Sequence, residues 1–222
     1  MDRSILEKNK IKELKNSFIF KVVDKKKILA NFSLRFTGNI ISKLLGFITL
    51  PIVARALGPD LFGSWNLIIA ILGYIAIPIN FGFTPYGLRE VAKKHGNTEL
   101  VVNKILSARL LLTFFSLVVS TLVIVLIYHT NSVLLISIIV GYILVVSQAV
   151  NIEFYYLGTK KLFLPTVSQL CGQLFYVLGT LFFVKKQQDF ILLIILYSSY
   201  YLINSLINIL YYLKDSKIKK VR

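Results

Sequence analysis

Few residues of this 222-residue chain have the types and spacing that bond chemistry requires. The two histidines, His95 and His129, fall in polar breaks on opposite sides of one apolar run, so they cannot join in a metal site or a triad. The single cysteine, Cys171, allows neither an intrachain disulfide nor a multi-cysteine metal site. Glu153 is the sole carboxylate deep in an apolar segment, which leaves no carboxylate pair for acid–base work. No Walker-type or G-x-G-x-x-G loop is found, so ATP is not the direct energy source. An enzyme is not expected, nor a cofactor or metal. What remains chemically informative is a set of cations and uncharged polar side chains in apolar surroundings, with Lys43 and Arg109 the sharpest.

The elements that must hold these residues follow from composition. Hydrophobic residues make up 56% and charged residues 16% of the chain, and the mean hydropathy is +0.72. The apolar excess is segmental, which excludes a soluble enzyme domain, a disordered chain and a disulfide scaffold. A bilayer core about 30 Å thick needs about 20 mostly apolar residues per helix. Six segments meet this, at about 36–57, 62–83, 106–128, 133–156, 162–184 and 190–213. The expected fold is an all-α integral membrane lobe of six transmembrane helices. Residues 1–35 read as a cytosolic basic arm, and 214–222 as a cytosolic basic tail.

The net charge of +16 does not point to nucleic acid, because it is distributed between the hydrophobic segments. With the N-terminus inside, ten Lys and Arg lie in the arm through Arg35 and four in the loop Arg89, Lys93, Lys94, Lys104. Two more are Lys160 and Lys161, and five are in the tail, giving twenty-one inside against Arg55, Lys185 and Lys186 outside. Such an excess orients both termini to the cytoplasm, in a multi-pass protein of the inner or plasma membrane.

Polar residues at helical spacing mark interior seams, since the lipid-facing surface must be apolar. The first span aligns Arg35, Asn39, Ser42, Lys43 and Gly46, and the second repeats Asn66, Gly73 and Asn80 every seven residues. Arg109, Thr113, Ser116 and Ser120 align in the third, and Ser137, Gly141, Gln148 and Tyr155 in the fourth. Gln169, Gly172, Gln173, Tyr176 and Thr180 mark the fifth, and Tyr197, Tyr201, Asn204, Asn208 and Tyr211 the sixth. Any one of these could be helix–helix glue worth about 0.6–2 kcal/mol. Six together suggest a wet, uncharged-polar cavity that hydrogen-bonds hydroxyl-rich material. Lys43 lies about a third of the way into its span, where an ammonium costs about 2.5–3.5 kcal/mol on insertion scales. Snorkelling to the near interface is the alternative to a functional role. A cavity with Lys43 and Arg109 favours an anionic cargo such as a phosphate or pyrophosphate.

The segment SKLLGFITLPIVARALGPDLFGSWN (42–66) and FGFTPYGLREVAKK (81–94) resemble the Wzx-type polysaccharide flippases. Those belong to the superfamily that also holds lipid II flippases and multidrug exporters. FYYLGTKKLFLP (154–165) and VKKQQDF (184–190) continue the resemblance, which covers about 30–213. It implies a transporter that moves a lipid-linked oligosaccharide, on a polyprenyl pyrophosphate, from inner to outer leaflet by alternating access. It also implies that Lys43 stands where the lipid II branch carries a cavity arginine, and that Arg55 and Arg89 match basic motif positions. The expected cargo-binding set is Lys43, Asn39, Arg109, Arg55, Arg89, Asn66, Asn80, Gln148, Gln169, Gln173 and Asn204.

Flippases of this kind have twelve to fourteen spans in two lobes, so six spans correspond to an N-terminal lobe. The chain is therefore expected to be truncated or partial, or to pair with a missing C-terminal half or a second copy. Further expected partners are membrane lipids and polysaccharide assembly proteins. The rivals are an exporter of cationic drugs, disfavoured by the scarcity of intramembrane carboxylates, and a non-transporting membrane scaffold.

Overall fold

A computed structural model describes residues 3–93 and 98–221, with side chains described from 30 to 215 apart from 31. The side chains of the basic arm through residue 29, Lys94 and His95, and the tail beyond Asp215 lie outside this description.

The chain folds as helices: α1 (Arg3–Asn80), α2 (Phe83–Ala92), α3 (Thr98–Tyr128), α4 (Ser132–Ala149), α5 (Glu153–Gly158), α6 (Phe163–Phe183) and α7 (Phe190–Val221). A 3-10 turn (Gln187–Asp189) precedes α7. Five stretches are long and apolar enough to cross a bilayer: Phe32–Ala92, Thr98–Tyr128, Ser132–Gly158, Phe163–Phe183 and Gln187–Asp215. The molecule is an all-helical, multi-span membrane protein.

The first two segments expected from sequence lie on one element, α1, broken at Gly58 with φ 75° and ψ 175°. Pro59 disfavours a helical ψ in the residue before it, and only glycine takes this φ/ψ pair freely. The break turns the chain back. Arg35 near the start of the described arm and Asn80 at the end of the second arm line one hollow, while Gly58 lies beside Gln187 beyond the far end of α6. The first arm runs alongside α6, with Gly38 against Thr166 and Gly46 against Gln173. The second runs alongside α4, where a side chain at Gly141 would come 2.4 Å from Leu72.

Two further breaks differ from the expected limits. The second segment stops at Asn80, and Gly82 (φ 73°) redirects the chain into the short amphipathic α2. The fourth, expected to run through 156, stops at Ala149 and resumes as α5. Asn151 lies between them, and its Oδ1 accepts the amide of Glu153 at 2.9 Å, a local bond that competes with helical pairing. The fifth and sixth segments, expected at 162–184 and 190–213, match α6 and most of α7.

Packing is apolar on both the inside and the outside. Val53, Leu57, Leu72, Ile138, Val145 and Leu193 are buried where the arms of α1 meet α4 and α7. A second cluster, including Val91, Val102, Ile152, Phe154 and Tyr156, joins α2, α3 and α5. Outward, α3 exposes Leu111, Phe114, Phe115, Val119, Leu122 and Leu126. So large an apolar surface suits hydrocarbon as its solvent. Polar bonds tie helices inside: Ser168 Oγ donates to Asn204 Oδ1 (2.9 Å), and Tyr156 donates to the Asn208 carbonyl (2.6 Å).

Candidate functional site

The breaks at Gly82 and between α4 and α5 fall near one end of the bundle, away from Gly58, and there the polar seams converge. A hollow of 390 Å³ is lined by Arg35 and Asn39 of α1's first arm, Asn80 at the end of the second, and Thr84 of α2. The rest of its wall is Arg109 of α3, Gln148 of α4, Asn151 in the α4–α5 break, Glu153 and Phe154 of α5, Gln169 of α6, and Tyr200, Tyr201 and Asn204 of α7. At about 30 Å³ per molecule of liquid water, it has room for about a dozen waters or one polar ligand of drug-like size.

Arg109 is the most unusual residue in that wall. It is 2% exposed. One terminal nitrogen donates to the Asn151 carbonyl (2.8 Å) and the other to Thr84 Oγ1 (2.9 Å). The α4–α5 break is what frees the Asn151 carbonyl for this bond. The rings of Phe83 and Phe154 lie 5.8 and 5.7 Å from the guanidinium carbon. Its Nε has no hydrogen-bond partner. Among the described residues no carboxylate lies within ion-pair distance. A buried guanidinium held only by neutral groups is a centre of positive potential that an anion would neutralise.

Arg35 is different. It is paired with Glu153, and its other terminal nitrogen donates to Gln169 Oε1 (2.8 Å) and the Pro165 carbonyl (3.3 Å). Three helices are tied there by one fork. Of the lining residues, Arg35 and Arg109 are cationic and Glu153 alone is anionic, so the formal charge of the wall is +1. The amides complete the surface. Asn80 Nδ2 donates to Gln148 Oε1 (2.6 Å) across α1 and α4, and Asn208 Nδ2 donates to Asn204 Oδ1 (2.9 Å) beneath the wall. Amide and phenol edges facing one wet volume can exchange hydrogen bonds with hydroxyl groups, and tyrosine faces can stack on sugar rings.

Six of the eleven residues expected from sequence line the hollow together: Asn39, Asn80, Arg109, Gln148, Gln169 and Asn204. Gln173 is buried one turn past Gln169 against Gly46 and lies outside the wall. Lys43, Arg55, Arg89 and Asn66 are exposed and also lie outside it. Lys43 follows Ser42, the residue that turns into the bundle, and a step of 100° carries its side chain out. Asn66 returns its amide to the Phe62 carbonyl (2.8 Å), the bond of a helix-surface residue. The cations of the hollow are thus Arg35 and Arg109. Arg35 is legible as the residue one turn before Asn39 on the same seam. Thr84, Asn151, Phe154 and Tyr200 enter through the breaks and the packing of α7, which residue spacing does not reveal. Among the described residues no group of three His, Cys, Asp or Glu side chains comes together as a metal site.

No curated protein and no solved structure matches the chain. A family model described as polysaccharide biosynthesis protein matches residues 28–221. A multi-span helical protein with a polar, cationic hollow at one end of its bundle accords with that match: the chain belongs to the polysaccharide biosynthesis protein family, the family of the Wzx-type polysaccharide flippases.

Proposed function

We propose that the chain is a transporter lobe that moves a polyprenyl-pyrophosphate-linked oligosaccharide from the inner to the outer leaflet of the cell membrane. The single observation that carries this is Arg109, a buried cation without a carboxylate partner among the described residues, set in a wall of amides and tyrosines inside an apolar bundle. The sugars hydrogen-bond Asn39, Asn80, Gln148, Gln169 and Asn204, and the pyrophosphate meets Arg109, with Arg35 close by. Both arms of α1 cross the bilayer: the shorter, 59–80, spans about 33 Å at 1.5 Å per residue, enough for a 30 Å core. With the other four helices this makes six passes. The excess of Lys and Arg supports an orientation with the hollow at the cytoplasmic end and both termini inside. The cargo cavity of the working transporter is completed by a second half or a second copy, as interface-built sites of repeat transporters are.

The test is export of surface polysaccharide in cells whose chromosomal copy carries Arg109→Ala, beside resistance to cationic drugs in the same strains. Loss of glycan export with unchanged drug resistance is the expected result. Normal glycan export overturns the role of Arg109, and a change confined to drug resistance favours a cation exporter.

A further inference from the structure

The loop at 159–162 joins α5 to α6 and carries Lys160 and Lys161, neither of which lines the hollow. Lys160 has φ 59°, the one positive φ of a non-glycine residue among those described. It follows Thr159, the C-cap of α5, and the amides of Lys160 and Lys161 return to the carbonyls of Leu157 (3.2 Å) and Tyr156 (2.9 Å). Helices ending this way usually put glycine at that position, because a side chain there is strained. The chain instead places an ammonium at that point.

Beside it opens a pocket of 400 Å³, walled by Tyr156, Phe163, Leu164 and Tyr211 and rimmed by Lys160 and Lys161. It shares no residue with the hollow and lies on the outer surface, where Phe163 is 64% exposed. Lys161 holds Asp215 at 3.0 Å, and exposed Lys214 lies one turn past Tyr211. Among the described residues the rim therefore carries two cations, Lys160 and Lys161, with the Asp215 carboxylate held by Lys161. α6 starts here at Phe163 without a side-chain cap, and its first amides add to the same positive potential. Aromatic walls beneath a lysine rim are what a helical membrane protein presents at the water–lipid boundary.

We propose that this pocket binds one anionic phospholipid of the cytoplasmic leaflet, its phosphate between Lys160 and Lys161 and an acyl chain against Phe163 and Leu164. A zwitterionic lipid gains less from the rim, because its own ammonium offsets its phosphate, and a free phosphate gains nothing from the apolar wall. Both features together select a lipid with net negative charge.

The protein is purified whole into phosphatidylcholine nanodiscs, and phosphatidylglycerol is titrated in, with retained lipid counted by native mass spectrometry. One phosphatidylglycerol should be held in preference to phosphatidylcholine. Lys160→Gly, which relieves the backbone strain, should keep or raise the melting temperature while weakening retention about fivefold. Lys160→Gly combined with Lys161→Gln should weaken it about 30-fold, at roughly 1 kcal/mol per lysine near a charged surface. Equal retention of the two lipids overturns the proposal, as does unchanged retention in a stable Lys160→Gly protein. Displacement of the lipid by equimolar inorganic phosphate also overturns it, since the site would then be an anion site without lipid selectivity.

Discussion

Replacing Arg109 by glutamine separates a binding cation from a structural one. The substitution removes two charge-assisted hydrogen bonds, to the Asn151 carbonyl and Thr84, worth about 1.5–3 kcal/mol each. It also removes a guanidinium that is 2% exposed and has no ion-pair partner among the described residues, a desolvation cost of several kcal/mol. The two terms oppose and are similar in size, so the fold should lose no more than about 2 kcal/mol. An arginine fork on a phosphate has no such offset in the variant, because the anion enters the same hollow without its partner. Losing about 3 kcal/mol of charge-assisted bonding corresponds to at least about a 100-fold weaker complex. Arg109→Lys keeps the charge and loses the fork, and should fall about tenfold. The assay is calorimetric titration of the purified protein with inorganic pyrophosphate, then with a short-chain prenyl pyrophosphate. Wild-type affinity in Arg109→Gln would refute the reasoning. Global unfolding of that variant would refute it equally, because Arg109 would then be a structural strut.

Other substitutions follow from particular contacts. Glu153→Gln removes the one carboxylate in the wall and leaves Arg35 bonded to Gln169, so pyrophosphate should bind several-fold tighter in the same titration. Gly58→Ala places a Cβ at φ 75° and should cost about 1–3 kcal/mol, read as a lower melting temperature in detergent. Gly172→Ala would set a Cβ 2.6 Å from the Tyr200 carbonyl oxygen, an atom that cannot swing away, so it should destabilise by about 1–3 kcal/mol by forcing α6 from α7. Asn80→Leu loses the 2.6 Å bond to Gln148 and should cost about 0.6–2 kcal/mol in thermal unfolding.

Long apolar runs bounded by charge were readable because hydrocarbon thickness leaves little freedom. The α6 limits at Phe163 and Phe183 follow from the basic breaks at Lys160–Lys161 and Lys185–Lys186. The turn at Gly58 was readable in LGPD, where glycine supplies the φ and proline forbids the helical ψ. The break at Asn151 was not, because its carbonyl is taken by Arg109 from 42 residues away. Lys43 shows the limit of helical spacing. It lies only 40° around the helix from Asn39, close enough to count as one seam, yet α6 packs on Gly38 and Gly46 and leaves Lys43 outside. Six seams do indicate a polar interior. Which cations it encloses depends on which face each neighbouring helix covers, and periodicity within one helix does not carry that information.

Cargo binding requires a water-filled, ligand-accessible hollow at the end of the apolar bundle. Single cysteines at Asn39, Gln148 and Asn204, and at lipid-facing Phe114 and Leu122 as controls, can be placed in a Cys171→Ser background and treated with a charged, water-soluble maleimide. The three hollow positions should label quickly, be shielded by a polyprenyl-pyrophosphate-linked oligosaccharide, and contrast with unreactive controls. Hollow cysteines as inert as those at Phe114 and Leu122 would contradict it.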